Sequence, residues 1–139
     1  MWGTTDMISS GPLEDRIAIR ELVESYNDAV MRFDATDWGA NWATDGVWSL
    51  PGRGEVVGRE AIVAQWLGAM GDLEVEGFFA SAGIITVTGD TAHATWYQQE
   101  FLVRAGTRIS IVGEYADDYV RRDGRWLFAK RVYAVRTAH

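Results

Sequence analysis

From Leu73 onward apolar and polar side chains alternate, whereas before Leu73 they recur at helical spacing. This change of period constrains the fold more than any other feature. Residues 74–79, 83–88, 92–104, 107–121 and 125–136 read as strands, separated by Gly89-Asp90, Ala105-Gly106 and Asp123-Gly124. Upstream, Gly11-Pro12 opens a long helix whose Ile19, Leu22, Val23, Tyr26, Ala29, Val30 and Phe33 form one stripe. Thr36 or Asp37 is expected to cap a short second helix carrying Trp38 and Trp42 one turn apart, ended by Thr44-Asp45-Gly46. A short strand over 47–50, a loop from Pro51 to Gly54 and a third helix over 59–70 follow. Helices first and an antiparallel meander afterwards mean α+β, with helices packed on one face of a curled sheet. Residues 1–10 read as a flexible arm and 11–139 as a single domain.

The totals exclude several classes of function. A net charge of -7 argues against nucleic acid, because phosphate binding needs a basic surface. No apolar run approaches the roughly 18 residues that cross a bilayer, and no secretory leader precedes the domain, so a cytoplasmic protein without membrane contact is expected. The chain has no cysteine, and neither a metal-ligand spacing nor a phosphate-binding loop, so no cofactor and no metal are expected. Seven tryptophans, five tyrosines and five phenylalanines must pack against one another or around a flat apolar ligand.

The tail carries charge inside apolar strands. Asp117 and Asp118 lie on one arm of a hairpin turning at Arg122-Asp123-Gly124, and Lys130 and Arg131 lie on the other. A three-residue turn pairs Asp117 with Ala129 and Tyr115 with Arg131, all on one face; a two-residue turn pairs Asp117 with Lys130 and sends Arg131 to the other face. The first is favoured, because Ile109, Ile111, Tyr115 and Tyr119 then share the apolar surface. Glu100, in phase with Ala92, Ala94, Trp96 and Gln98, is a second carboxylate on that surface, or else a solvated one near its strand end. His93 reads as outward-facing.

Three segments together resemble the SnoaL-like polyketide cyclase family of the nuclear transport factor 2-like superfamily. They are Ile17–Tyr26 leading to Trp42–Trp48, Gly58–Ile62, and Gly89–Ala92 running on to Asp118–Trp126. The resemblance implies a cone-shaped fold with a pocket between the long helix and the concave sheet. It implies chemistry of the isomerase, dehydratase, dehydrochlorinase or cyclase kind, or ligand binding alone. The histidine–aspartate dyad of the dehydratase branch is missing: Met31 stands at the helix aspartate, and 77–80 hold no histidine. The isomerase pattern is matched by Tyr26 and Asp117, while its base position falls on Leu50. Arg131 falls where the dehydrochlorinase has a functional arginine, and it either binds a ligand or neutralises Asp117.

These readings converge on a cofactor-free cyclase, isomerase or lyase for an aromatic or polycyclic hydroxy- or keto-compound. Asp117 is expected as acid/base, Tyr26 as oxyanion donor and Glu100 as a supplementary base. Arg131, Tyr115, Trp96, Gln98, Trp48, Met31 and Leu50 are expected to line the ligand site. Asp117→Asn is expected to abolish turnover with folding nearly intact. The alternatives are a non-catalytic binding or assembly domain and the small subunit of a ring-hydroxylating dioxygenase. A homodimer is expected through the outer sheet face, with Trp126, Phe128 and Val132 exposed there as an apolar patch.

Overall fold

The computed structural model describes residues 8–139. Helix α1, Leu13–Arg32, begins after Pro12 with Glu14 and Asp15 in its first turn and ends at Phe33 in the left-handed region, φ 52°. Its buried stripe comprises Ile19, Leu22, Val23, Tyr26, Ala29 and Val30. Helix α2, Ala35–Ala40, is capped by neither expected residue. Asp34 takes that place, accepting from the Asp37 N–H at 3.0 Å, and its carboxylate also pairs with Arg32.

Strands β1, Trp42–Leu50, and β2, Gly54–Val57, form a hairpin before helix α3, Arg59–Met70. Then come β3, Leu73–Thr88, β4, Thr91–Arg104, β5, Thr107–Arg122, and β6, Arg125–Ala138. The six strands make one curved, unclosed sheet in the order β2-β1-β6-β5-β4-β3. Its pairings are antiparallel except that of β1 with β6. The helices pack against its concave face, giving the α+β cone that the resemblance implied.

The structure corrects several expectations. Trp42 belongs to a strand, not to the second helix. Thr44-Asp45-Gly46 is an irregularity within β1, where the register against β6 shifts between Trp42 and Val47. Gly54, read as the end of a loop, begins a paired strand, Gly54–Val57, that the sequence reading did not assign. The two segments 74–79 and 83–88 are one strand, broken in register but not in continuity between Ala82 and Ile85. Of the expected arm, residues 1–7 lie outside the described residues. The end of it is tied down: the Ser10 N–H donates to Ile85 O and its carbonyl accepts from Val87 N–H, while Ser9 Oγ accepts from the Ile85 N–H.

Aromatic side chains fill the interior. Trp38 stacks on Trp66 at 4.6 Å and 10° and meets Tyr26, Trp42 and Trp48 at 5.3 to 5.8 Å. Phe128 packs on Tyr26, Trp42 and Tyr119 at 5.3 to 5.5 Å and is fully buried. Trp126 is buried too, donating through its indole to Asp15 at 3.1 Å, while Arg121 bridges Asp15 and Asp90. Both rings therefore leave the expected outer patch, where Val132 remains half-buried. Among the described residues no helix is long and apolar enough to cross a membrane.

Candidate functional site

The hairpin settles the geometry at the heart of the cone in a way that neither register anticipated. Asp123 and Gly124 form a two-residue turn, both at positive φ, 52° and 75°, with Arg122 opposite Arg125. That turn alone would send Arg131 outward. One extra residue in β6, Ala129, shifts the register between Tyr119↔Phe128 and Asp118↔Lys130. Asp117 then lies opposite Arg131 and Tyr115 opposite Tyr133, all facing the interior.

Asp117 and Arg131 have fully buried side chains, with Arg131 Nε donating to Asp117 Oδ1 at 2.9 Å. The other carboxylate oxygen accepts from the Tyr119 hydroxyl at 2.7 Å, and that hydroxyl accepts from the Trp96 indole at 2.8 Å. The guanidinium lies against three rings, 3.5 Å from the Tyr115 centroid, 4.4 Å from Tyr26 and 4.6 Å from Phe128. Its Nη1 and Nη2 are buried and make no hydrogen bond. Burial lifts the Asp117 carboxyl above the usual range, opposed by Arg131 and by the Tyr119 hydrogen bond. Burial lowers Arg131, but Asp117 and the surrounding tyrosines outweigh it and raise the net value, so the guanidinium stays charged. The two form an ion pair, neutral overall.

Burial also raises Tyr26, against the pull of Arg131, and raises Tyr115 and Tyr119 well above the ordinary phenol value. Further along the same strands, the Tyr133 hydroxyl donates to Glu100 at 3.2 Å. Burial raises Glu100 above the ordinary carboxyl value, and the hydrogen bond from Tyr133 opposes the shift. Gln98 itself is 2% exposed, and both polar atoms of its amide lack a hydrogen-bond partner. Trp48, opposite Arg131 on β1, has an unpartnered buried indole N–H, as do Trp38 and Trp42.

The structure therefore brings Tyr26, Tyr115, Asp117, Arg131, Trp48 and Trp96 together, with Glu100 and Gln98 adjoining. Leu50 is half-buried at the edge of the aromatic core. Met31 stands apart: 45% exposed, it belongs to neither the buried stripe of α1 nor the core around the ion pair. Tyr119 and Tyr133 were given no role from sequence, although each lies two residues along a strand from a singled-out charge, on the same face. His93 is exposed on the outer face, beside a concavity of about 590 Å³ that Asp118, Lys130, Thr95 and Val132 also line.

A model of the SnoaL-like domain matches residues 11–132, most of the chain. The chain belongs to the SnoaL-like family. A relative, the uncharacterized protein Rv2910c of Mycobacterium tuberculosis, is 29% identical over 132 residues, covering 91% of this chain and 88% of that one. Among solved structures, a ketosteroid isomerase-like protein from Erwinia carotovora superposes with a TM-score of 0.83 at 17% identity, covering 91% and 99% of the two chains. A hexachlorocyclohexane dehydrochlorinase, LinA type 2, gives 0.77 at 21% identity, covering 91% and 88%. At such identities these structures share with the SnoaL-like chain its fold.

Proposed function

We propose that the cluster around Arg131 is the active site of an enzyme of the isomerase, lyase or cyclase type. It would move a proton on an aromatic or polycyclic hydroxy- or keto-compound without a cofactor. The observation that carries this reading is the pair of unpartnered guanidinium nitrogens in a water-excluded interior. Leaving buried donors unmade is costly, and a ligand oxygen relieves that cost most where negative charge develops on it. Buried donors without partners outnumber acceptors around them, since three indole N–H groups add to Arg131 and Gln98. The interior thus suits a ligand rich in acceptor oxygens. The aromatic walls suit a flat one.

In this reading Arg131 and Tyr26 hold the carbonyl or enolate oxygen, and Glu100, raised by burial, moves the proton. Asp117, the expected acid/base, already has both oxygens engaged and instead holds Arg131. The test is exchange of the α-protons of 2-tetralone in D2O, followed by NMR. Glu100→Gln should slow exchange by about 10²- to 10⁴-fold. Exchange at the wild-type rate in that variant removes Glu100 from the mechanism.

A second reading, binding without chemistry, draws on Leu50 and Met31, which leave apolar side chains at the positions where the resemblance puts a base and the dyad aspartate. Saturable binding with no exchange by the wild-type protein would establish it. We propose with either reading a cytoplasmic homodimer joined through the outer sheet face, where Ile84 and Tyr97 are exposed.

A further inference from the structure

Behind Asp117 stand two residues to which the proposed mechanism gives no part. Tyr119 is 1% exposed and Trp96 5%, and they form a relay: indole N–H to phenol oxygen, phenol O–H to Asp117 Oδ2. Strand alternation puts Tyr119 on the same face as Asp117, and β4 places Trp96 opposite Tyr115 in the adjoining row.

The relay matters because of what it denies to the ion pair. A carboxylate beside a guanidinium prefers two parallel hydrogen bonds, one to Nε and one to a terminal nitrogen. Here Asp117 makes only the Nε bond, because its second oxygen is held by Tyr119. The terminal nitrogen that a fork would engage is consequently left over beside the other one, in a place where leaving them unpaired is costly. A purely structural ion pair gains nothing from that arrangement; a ligand-binding one does.

We infer that Tyr119, backed by Trp96, is a positioning residue that holds Asp117 in a one-bond grip on Arg131 and so reserves the terminal edge of the guanidinium for a ligand. The inference rests on the proposal that Arg131 meets the ligand, and it adds a cause for the free edge. It also accounts for a tyrosine where phenylalanine would fill the same space. Without the hydroxyl, Oδ2 loses its partner and turns to the nearest free donor, an Arg131 terminal nitrogen. The fork then takes one of the two terminal nitrogens from the ligand.

The test compares wild type with Tyr119→Phe and Trp96→Phe by crystallography, thermal melting and binding of 2-tetralone. In Tyr119→Phe we expect Asp117 to bridge Nε and one terminal nitrogen, the melting temperature to stay within a few degrees as the new bond replaces the old, and the probe to bind about tenfold more weakly. Trp96→Phe, which removes only the outer link, should weaken binding in the same direction by less. A Tyr119→Phe structure that keeps the single bond overturns the inference, as does unchanged probe affinity with the fork formed. Should Tyr119→Phe fail to fold, unchanged probe affinity in Trp96→Phe overturns it. If 2-tetralone does not bind wild type, the proposed function falls, and the geometry of the Tyr119→Phe ion pair still decides whether Tyr119 holds it open.

Discussion

Arg131 carries a full charge with no exposed surface, and among the described residues its one ion-pair partner is Asp117. Taking two charges out of water costs several kcal/mol each, recovered only while both are present. Asp117→Asn should therefore destabilise the fold by about 3–5 kcal/mol, measured by urea unfolding, contrary to the sequence-based expectation of near-neutral folding. Replacing both residues by leucine and methionine should cost less than that single change. A smaller loss for the single variant would show that Arg131 finds another counter-charge. Glu100 makes a pH prediction. Its folded value lies above the ordinary 4.5, so it contributes stability below about that pH and loses it as pH rises toward the folded value. Glu100→Gln, which still accepts from Tyr133, should match wild type at pH 4 and exceed it at pH 8. Parallel stability curves would exclude a burial-strained carboxylate. That these charges matter was legible, because ionisable groups in apolar strands are conspicuous. Their state was not, because whether Asp117 is free or paired depends on a register that local sequence leaves open.

The hairpin shows why. The shared face of Asp117, Tyr115 and Arg131 follows from the alternation of apolar residues along β5, and that expectation agrees with the structure. The turn and register expected with it do not: the loop has two residues, and Ala129 supplies the missing one as a bulge. An extra alanine in a strand leaves no compositional mark, and two quite different backbones give the same parity. Deleting Ala129 should remove the bulge and leave a regular ladder in which Lys130 still lies opposite Asp118 and Arg131 opposite Asp117, so Arg131 stays inward. The variant should therefore keep the buried ion pair and probe binding and melt within several degrees of wild type. A variant that loses probe binding would show that the local twist of the bulge, and not only the register it sets, positions Arg131. At α2 the shortfall is smaller, Asp34 taking the cap from Thr36 and Asp37, three plausible residues within four positions. In β3 the small residues Ala80, Ser81 and Ala82 read as a break, and the structure instead runs the strand through them and shifts its register just after, between Ala82 and Ile85.

Across the whole molecule, the layering of helices on one curved sheet was readable because the period of the sequence changes once. The parallel pairing of β1 with β6 was not, since nothing in Trp42–Leu50 names a partner some eighty residues away. The outer sheet face carries the proposal about assembly. Val132→Asp, placed beside the outer concavity, should turn a dimer into a monomer in sedimentation velocity while leaving the interior pair intact. A wild-type monomer at micromolar concentration would end that idea. The position of β6, paired on one side with β5 and on the other with β1, also has a bearing on synthesis. On the ribosome, β1 emerges early and, although paired with β2, waits with its other edge open until β6 is translated. The charged centre of the cone is thus completed only when β6, last of the sheet's strands in chain order, is made. A nascent chain stalled before Arg125 would hold its helices and a β3-β4-β5 meander but no closed interior, and would be a natural client for chaperones.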